Sequence, residues 1–321
     1  MSVRSFRWLA CVAAVAFATA ACTRSPGTDD LATTFSAQMA SSWHWTGDPQ
    51  RVQIGVLASG ADGLRVVSGG TIDLAFAYLG IDGSADPVVG PTATADYIPV
   101  PGSPSPGDAP GFTTGANGVY EAEDVVFDQP GLWQVTVTAS VDGVGRELTT
   151  NLAVTEESPI PAPGDRAPKT ENLTVDSKGV SDCAIDSTAC NGGEIADPEL
   201  HEWTIARAIE EGRPALVLLG TPAFCTSRFC GPEMQEVQRF AREYPDRAVY
   251  IHVEIWKDYR PEDNVQVVNR AAADWLLRGQ DMTEPWLYLI GADGVIVDRW
   301  GSLFDPEEVE ATLGALPPMS A

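Results

Sequence analysis

Positive charge is scarce in this sequence: 20 lysines and arginines stand against 45 aspartates and glutamates, for a formal net charge of −25. A surface that acidic repels phosphate backbones, which excludes nucleic-acid binding. Histidine is scarcer still, at 3 in 321 residues. None lies between Arg51 and Thr155, and that stretch has no cysteine either, so it carries no obvious catalytic chemistry and reads as a spacer or docking module. No repeat of fixed period and no long low-complexity run occurs. The only long apolar run, Trp8 to Ala18, is too short to span a bilayer comfortably. What is abundant is glycine, 30 residues, and proline, 24, which predicts many turns and a stiff linker and argues against long helical bundles. The length predicts two domains.

Arg4 and Arg7 precede the apolar run and Thr19-Ala20-Ala21 follows it, the three regions of a secretory signal over residues 1–21. Small residues directly before Cys22 resemble the lipobox of bacterial lipoproteins. That resemblance implies acylation of Cys22, a lipid anchor on the extracytoplasmic side of the cell membrane, and a polar tether over 22–50. An uncleaved anchoring helix is the alternative. Processing removes Cys11 and leaves Cys183, Cys190, Cys225 and Cys230 where disulfides persist. The short spacings favour pairing Cys183 with Cys190 and Cys225 with Cys230.

Period-two runs at Val52–Ala58, Thr71–Tyr78, Val119–Phe127, Leu132–Val141 and Glu147–Val154 predict a small antiparallel sandwich over 51–155. Gly118-Val119-Tyr120 and Pro130-Gly131-Leu132-Trp133 resemble the closing hairpin of an immunoglobulin-like domain. Residues 156–193 read as a proline-rich linker, with Ser158-Pro159-Ile160-Pro161-Ala162-Pro163, and a cysteine loop. Over 194–321 strands and helices alternate. Strands are predicted at Ala215–Leu219, Ala248–Ile255, Trp286–Ile290 and Val295–Arg299. Helices are predicted at Thr204–Glu211, after Cys230, at Val265–Leu277 and after Asp305. That order predicts an α/β layer structure, a mixed central sheet flanked by helices.

Cys225-Thr226-Ser227-Arg228-Phe229-Cys230 follows the first buried strand and opens a helix. There backbone N–H groups and the helix dipole stabilise a thiolate. Two cysteines five apart on one continuous helix would point about 140° apart, so Cys225 must sit in the non-helical approach for the pair to meet. This segment, with Thr221-Pro222-Ala223-Phe224 before it, Gly231-Pro232 after it and the later Thr283-Glu284-Pro285-Trp286, resembles the thioredoxin-like superfamily. Within it, the match is to the membrane-tethered thiol-disulfide proteins related to TlpA and ResA. The resemblance implies an α/β thioredoxin-like domain after the immunoglobulin-like sandwich. It also implies that Pro285 is a cis-proline facing the active cysteines, with the backbone of Glu284 pairing with an extended substrate and Phe224 contacting it. Two departures stand out: four residues separate the cysteines instead of two, and the strand Ala215–Leu219 lacks a buried acid. His252 and Glu254, alternate residues on the next strand, are candidates for a proton relay.

The function expected is disulfide exchange with dithiol or disulfide proteins of the cell envelope. Cys225 attacks, Cys230 resolves, and no cofactor or metal is needed. Cys183 and Cys190 are expected to form a structural bridge apart from the chemistry. Two other classes remain open: an atypical thiol peroxidase using the same pair, and a non-catalytic or copper-binding scaffold in which two cysteines and His252 hold copper. His201 reads as surface.

Overall fold

The computed structural model describes residues 33–61, 63–263, 265–276 and 283–319. The expected signal segment and Cys22 lie outside them. Among the described residues no helix is long and apolar enough to cross a membrane.

Nine strands occupy the first half: β1 (Thr34–Met39), β2 (His44–Trp45), β3 (Gln50–Gly60), β4 (Gly63–Val66), β5 (Thr71–Tyr78), β6 (Val88–Pro99), β7 (Gly118–Val125), β8 (Gly131–Val141) and β9 (Val144–Thr155). They form one sheet in the order β1-β3-β7-β6-β5-β8-β9-β2, with β4 on β3. Alternate residues of these strands face one core, in which Phe127 meets both Phe76 and Trp133 edge-on.

The second half holds α1 (Ile205–Glu210), β10 (Ala215–Gly220), α2 (Cys230–Glu243), β11 (Val249–Glu254), β12 (Trp256–Arg260), β13 (Val265–Val268), α3 (Arg270–Leu276), β14 (Trp286–Ile290), β15 (Ile296–Gly301) and α4 (Pro306–Ala315). Strands β11-β10-β14-β15 make a four-stranded sheet, parallel between β10 and β11 and antiparallel elsewhere. Every residue of β10 is buried. Leu216 and Leu218 pack with Met234, Val237 and Phe240 of α2, and Val217 and Leu219 pack on the other face with Ala272 and Trp275 of α3. Such two-sided burial is why β10 reads as an uninterrupted apolar run.

The expected fold class is corrected. Among the described residues 40% are in strands against 19% in helices, and the first half is a large curled half-barrel sheet, so neither a two-sheet immunoglobulin-like sandwich nor an α/β thioredoxin-like domain describes the fold. The continuity comes from β6, which the sequence reading missed. Its run of Gly90, Pro91, threonines and alanines buries only Ala95 and offers little hydrophobic signal, yet it joins β5 to β7 and leaves no seam between two sheets. The helices are short because their sequences stop them. Gly212 at φ +63° closes α1, and Val265–Val268, expected to begin a helix, pairs with β12 instead. β-Branched residues in alternation favour that strand.

Two segments expected to be loose are built in. Residues 34–45, placed in the tether, supply β1 and β2. The proline-rich segment packs on the second half: Ile160 is buried in its core, and the Arg299 guanidinium donates to the carbonyls of Ile160 and Pro161 at 3.2 and 2.6 Å. The halves are also bonded directly. Arg51 on β3 donates to Asp298 at 3.0 Å and pairs with Glu308, Gln53 bonds the Leu303 backbone, and the Trp43 indole donates to Thr283 Oγ1 at 2.8 Å.

Candidate active site around two cysteines

Both disulfides read from the spacings are present, Cys183–Cys190 with Cα atoms 4.5 Å apart and Cys225–Cys230 with Cα atoms 6.0 Å apart. Helix α2 begins at Cys230, and Cys225 stands before it in the non-helical approach. Cys230 is fully buried and Cys225 half-buried. The Cys230 N–H, one of the unpaired donors at the helix start, donates to Cys225 Sγ at 3.3 Å, and Ser227 Oγ lies 3.2 Å from the same sulfur. The donors that favour a thiolate are therefore aimed at Cys225.

Gly220, the last residue of β10, sets the floor of the site. Cys230 and Pro285 close around it, each with an atom 3.7 Å from where a β-carbon would stand. The Glu284–Pro285 peptide is cis. Glu284 does more than the backbone contact expected of it: its Oε1 accepts the Thr226 N–H at 3.3 Å, and a carboxylate oxygen, Cys225 Sγ and Cys230 Sγ all lie within 4.8 Å of one another. Its Oε2 is buried without a hydrogen-bond partner, and burial pushes the carboxyl above its ordinary range. Glu284 also borders a cleft between the halves, shared with Trp43, Glu121, Thr283 and Arg299. On the other side, Phe224 stacks on Tyr259 of β12 at 4.6 Å, and Tyr259 on Trp256 at 5.0 Å. These three partly exposed rings make an apolar ledge beside Cys225.

His252 and Glu254 face one side of β11, as their spacing requires, but they do not bond each other. Glu254 accepts from the N–H groups of Ser187 (2.9 Å) and Trp256 (3.1 Å), and burial pushes its carboxyl up to about 7. His252 donates Nε2–H to the Gly220 carbonyl at 3.2 Å, and its Nδ1 lies 3.3 Å from His201 Nε2. Burial, then the neighbouring His201, pushes His252 down to about 3, so its ring is neutral. The structure thus joins His252 to His201 and Asp186, not to the cysteine pair that the copper reading required. His201 is corrected from surface to fully buried. Asp186, which the sequence reading passed over, holds His201 at 3.3 Å. Its only sequence signal was its place between Cys183 and Cys190.

The Cys183–Cys190 loop is not remote from the Cys225–Cys230 pair. Ser187 Oγ accepts the Ala223 N–H at 3.1 Å and meets Thr221 Oγ1 at 3.4 Å, which supports the turn leading into Cys225.

No protein-family model matches the chain, and no curated protein matches it. Among solved structures, the crystal structure of MtrC from Shewanella baltica OS185 is similar over 46% of this chain and 27% of that one, at 14% identity and a TM-score of 0.24. A likeness of that size carries no functional or fold assignment.

Proposed function

We propose that this chain is an extracytoplasmic lipoprotein, anchored through Cys22, that exchanges disulfides with envelope proteins through Cys225 and Cys230. Kinship with the proteins related to TlpA and ResA is part of the same proposal and rests on the cysteine segment and Glu284-Pro285. The observation that carries it is the asymmetry of the pair. Cys225 is accessible and receives the Cys230 N–H, while Cys230 is buried beneath it. In the reduced form the Cys225 thiolate attacks one sulfur of a partner disulfide, and the partner's other sulfur leaves as a thiolate that takes up a proton. Cys230 then gives its proton to the Glu284 carboxylate and attacks Cys225 Sγ, which releases the second partner thiol. One partner disulfide becomes two thiols and the protein's two thiols become one disulfide, with no other reactant. The ledge of Phe224, Tyr259 and Trp256 offers apolar contact to the partner segment.

The test is trapping. Cys230→Ser should accumulate a mixed disulfide with a protein partner, because nothing resolves it, and Cys225→Ser should accumulate none. Trapping only in Cys225→Ser reverses the roles. No trapping in either variant, with both thiols titrating at or above about 8.5, would make the pair a structural staple.

A further inference from the structure

Three donor atoms converge beside the end of β10, each from a different part of the chain: Asp186 from the Cys183–Cys190 loop, His201 from the turn Pro198–His201, and His252, which bonds the Gly220 carbonyl, from β11. All three side chains are fully buried. Asp186 Oδ2 lies 3.3 Å from His201 Nε2 and 3.8 Å from His252 Nδ1, and the two nitrogens are 3.3 Å apart. As hydrogen bonds these are long, against about 2.7–3.2 Å for good ones. The proton count is also short. A backbone carbonyl only accepts, so His252 must carry its hydrogen on Nε2 to bond Gly220, and its neutral ring then presents a bare lone pair at Nδ1. His201 Nε2 thus faces two acceptors, that lone pair and the carboxylate, with one hydrogen to give.

We propose that Asp186, His201 and His252 bind one divalent transition-metal ion of the zinc type. A point equidistant from the three atoms lies about 2.0 Å from each, which matches zinc–nitrogen and zinc–oxygen bonds of about 2.0–2.2 Å. Two imidazoles and a carboxylate are the donors zinc takes from protein. Two of the three ligands have outer contacts of the form that holds metal ligands in place, while His201 Nδ1 is buried without a partner. The far nitrogen of His252 is fixed on a backbone carbonyl, and Asp186 Oδ1 is occupied by the N–H and hydroxyl of Thr188 at 2.8 and 2.7 Å, which leaves Oδ2 free to point inward. Three protein ligands leave a further coordination position. The ion would tie the disulfide loop and the 198–201 turn to the central sheet, one residue from the Ser187 that supports Ala223. The proposal does not depend on the exchange reading.

The experiment uses the full chain with both disulfides intact, so that Cys225, Cys230 and Glu284 cannot bind metal as a thiolate site. After chelation and dialysis it is titrated with Co(II) and then Zn(II). One equivalent of Co(II) should bind with visible ligand-field bands and no thiolate charge-transfer band, Zn(II) should displace it, and zinc should raise the thermal midpoint. Asp186→Asn keeps the shape and, through its amide oxygen, both Thr188 contacts, and it should lose at least a hundredfold in affinity, as should His201→Gln. Should either variant fail to fold, X-ray absorption of the zinc-loaded wild-type chain decides: a nitrogen and oxygen shell with imidazole scattering supports the site, and sulfur in the first shell overturns it. Failure of the oxidised wild-type chain to take up Co(II) or Zn(II) also overturns it, as does undiminished binding in the folded variants.

Discussion

Glu284 is the residue whose chemistry departs most from a backbone role. Its carboxylate stands within 4.8 Å of both sulfurs, and burial raises its proton affinity above that of an exposed glutamate. Glu284→Gln keeps an oxygen to accept the Thr226 N–H but cannot take a proton. It should slow exchange on the order of 10²-fold, flatten the acid limb of the pH–rate profile and be partly restored by Glu284→Asp. Stopped-flow exchange across pH tests this, and an unchanged profile would remove the residue from the chemistry. At this scale the Cys225–Cys230 disulfide was legible because its signal is local: two cysteines between a buried strand and a helix start. The Asp186–His201–His252 cluster was not. Its members lie 15 and 51 residues apart, and burial of a lone histidine leaves no mark in the residues around it.

Among the elements, the Cys183–Cys190 loop has the clearest energetic role. It closes eight residues that hold Asp186 and Ser187 inward, and loop-entropy reasoning puts the stabilisation of so short a loop at about 2–3 kcal/mol. The double variant Cys183→Ser/Cys190→Ser should lose that much in denaturant unfolding, measured with Cys225–Cys230 oxidised. A loss below about 0.5 kcal/mol would mean that the hydrogen bonds alone hold the loop. Elements that bury a regular stripe were readable. Strands β5 and β10 fall where their apolar pattern puts them, and Asp305 caps α4 through the Glu307 N–H as its sequence indicates. Elements stabilised mainly by their neighbours were not. β6 buries only Ala95 and Ile98, and β13 pairs with β12 beside it.

At the scale of the whole molecule, a buried polar knot joins the two halves. Glu121 on β7 accepts from Gln53 at 2.6 Å, and Gln53 in turn bonds the Leu303 backbone. Burial pushes the Glu121 carboxyl up to about 8, with the Gln53 hydrogen bond offsetting part of the effect, against about 4.3 in an unfolded chain. Between those values the folded chain holds a proton that the unfolded chain has lost. Stability from this group is therefore complete below about pH 4.3 and declines as pH rises toward 8, by on the order of 1 kcal/mol per pH unit at most. Unfolding midpoints at pH 5 and pH 8 should fall further for wild type than for Glu121→Gln, and equal falls would show that Glu121 is ionised in the folded state. The joined halves bear on geography as well. With β1 starting at Thr34, a lipid on Cys22 would lie only about twelve residues from the first strand, a reach of at most roughly 40 Å where a run to residue 50 would allow roughly 95 Å. The domain could then patrol only a shallow hemisphere above its anchorage, and a partner's disulfide would have to come down to that height to be met.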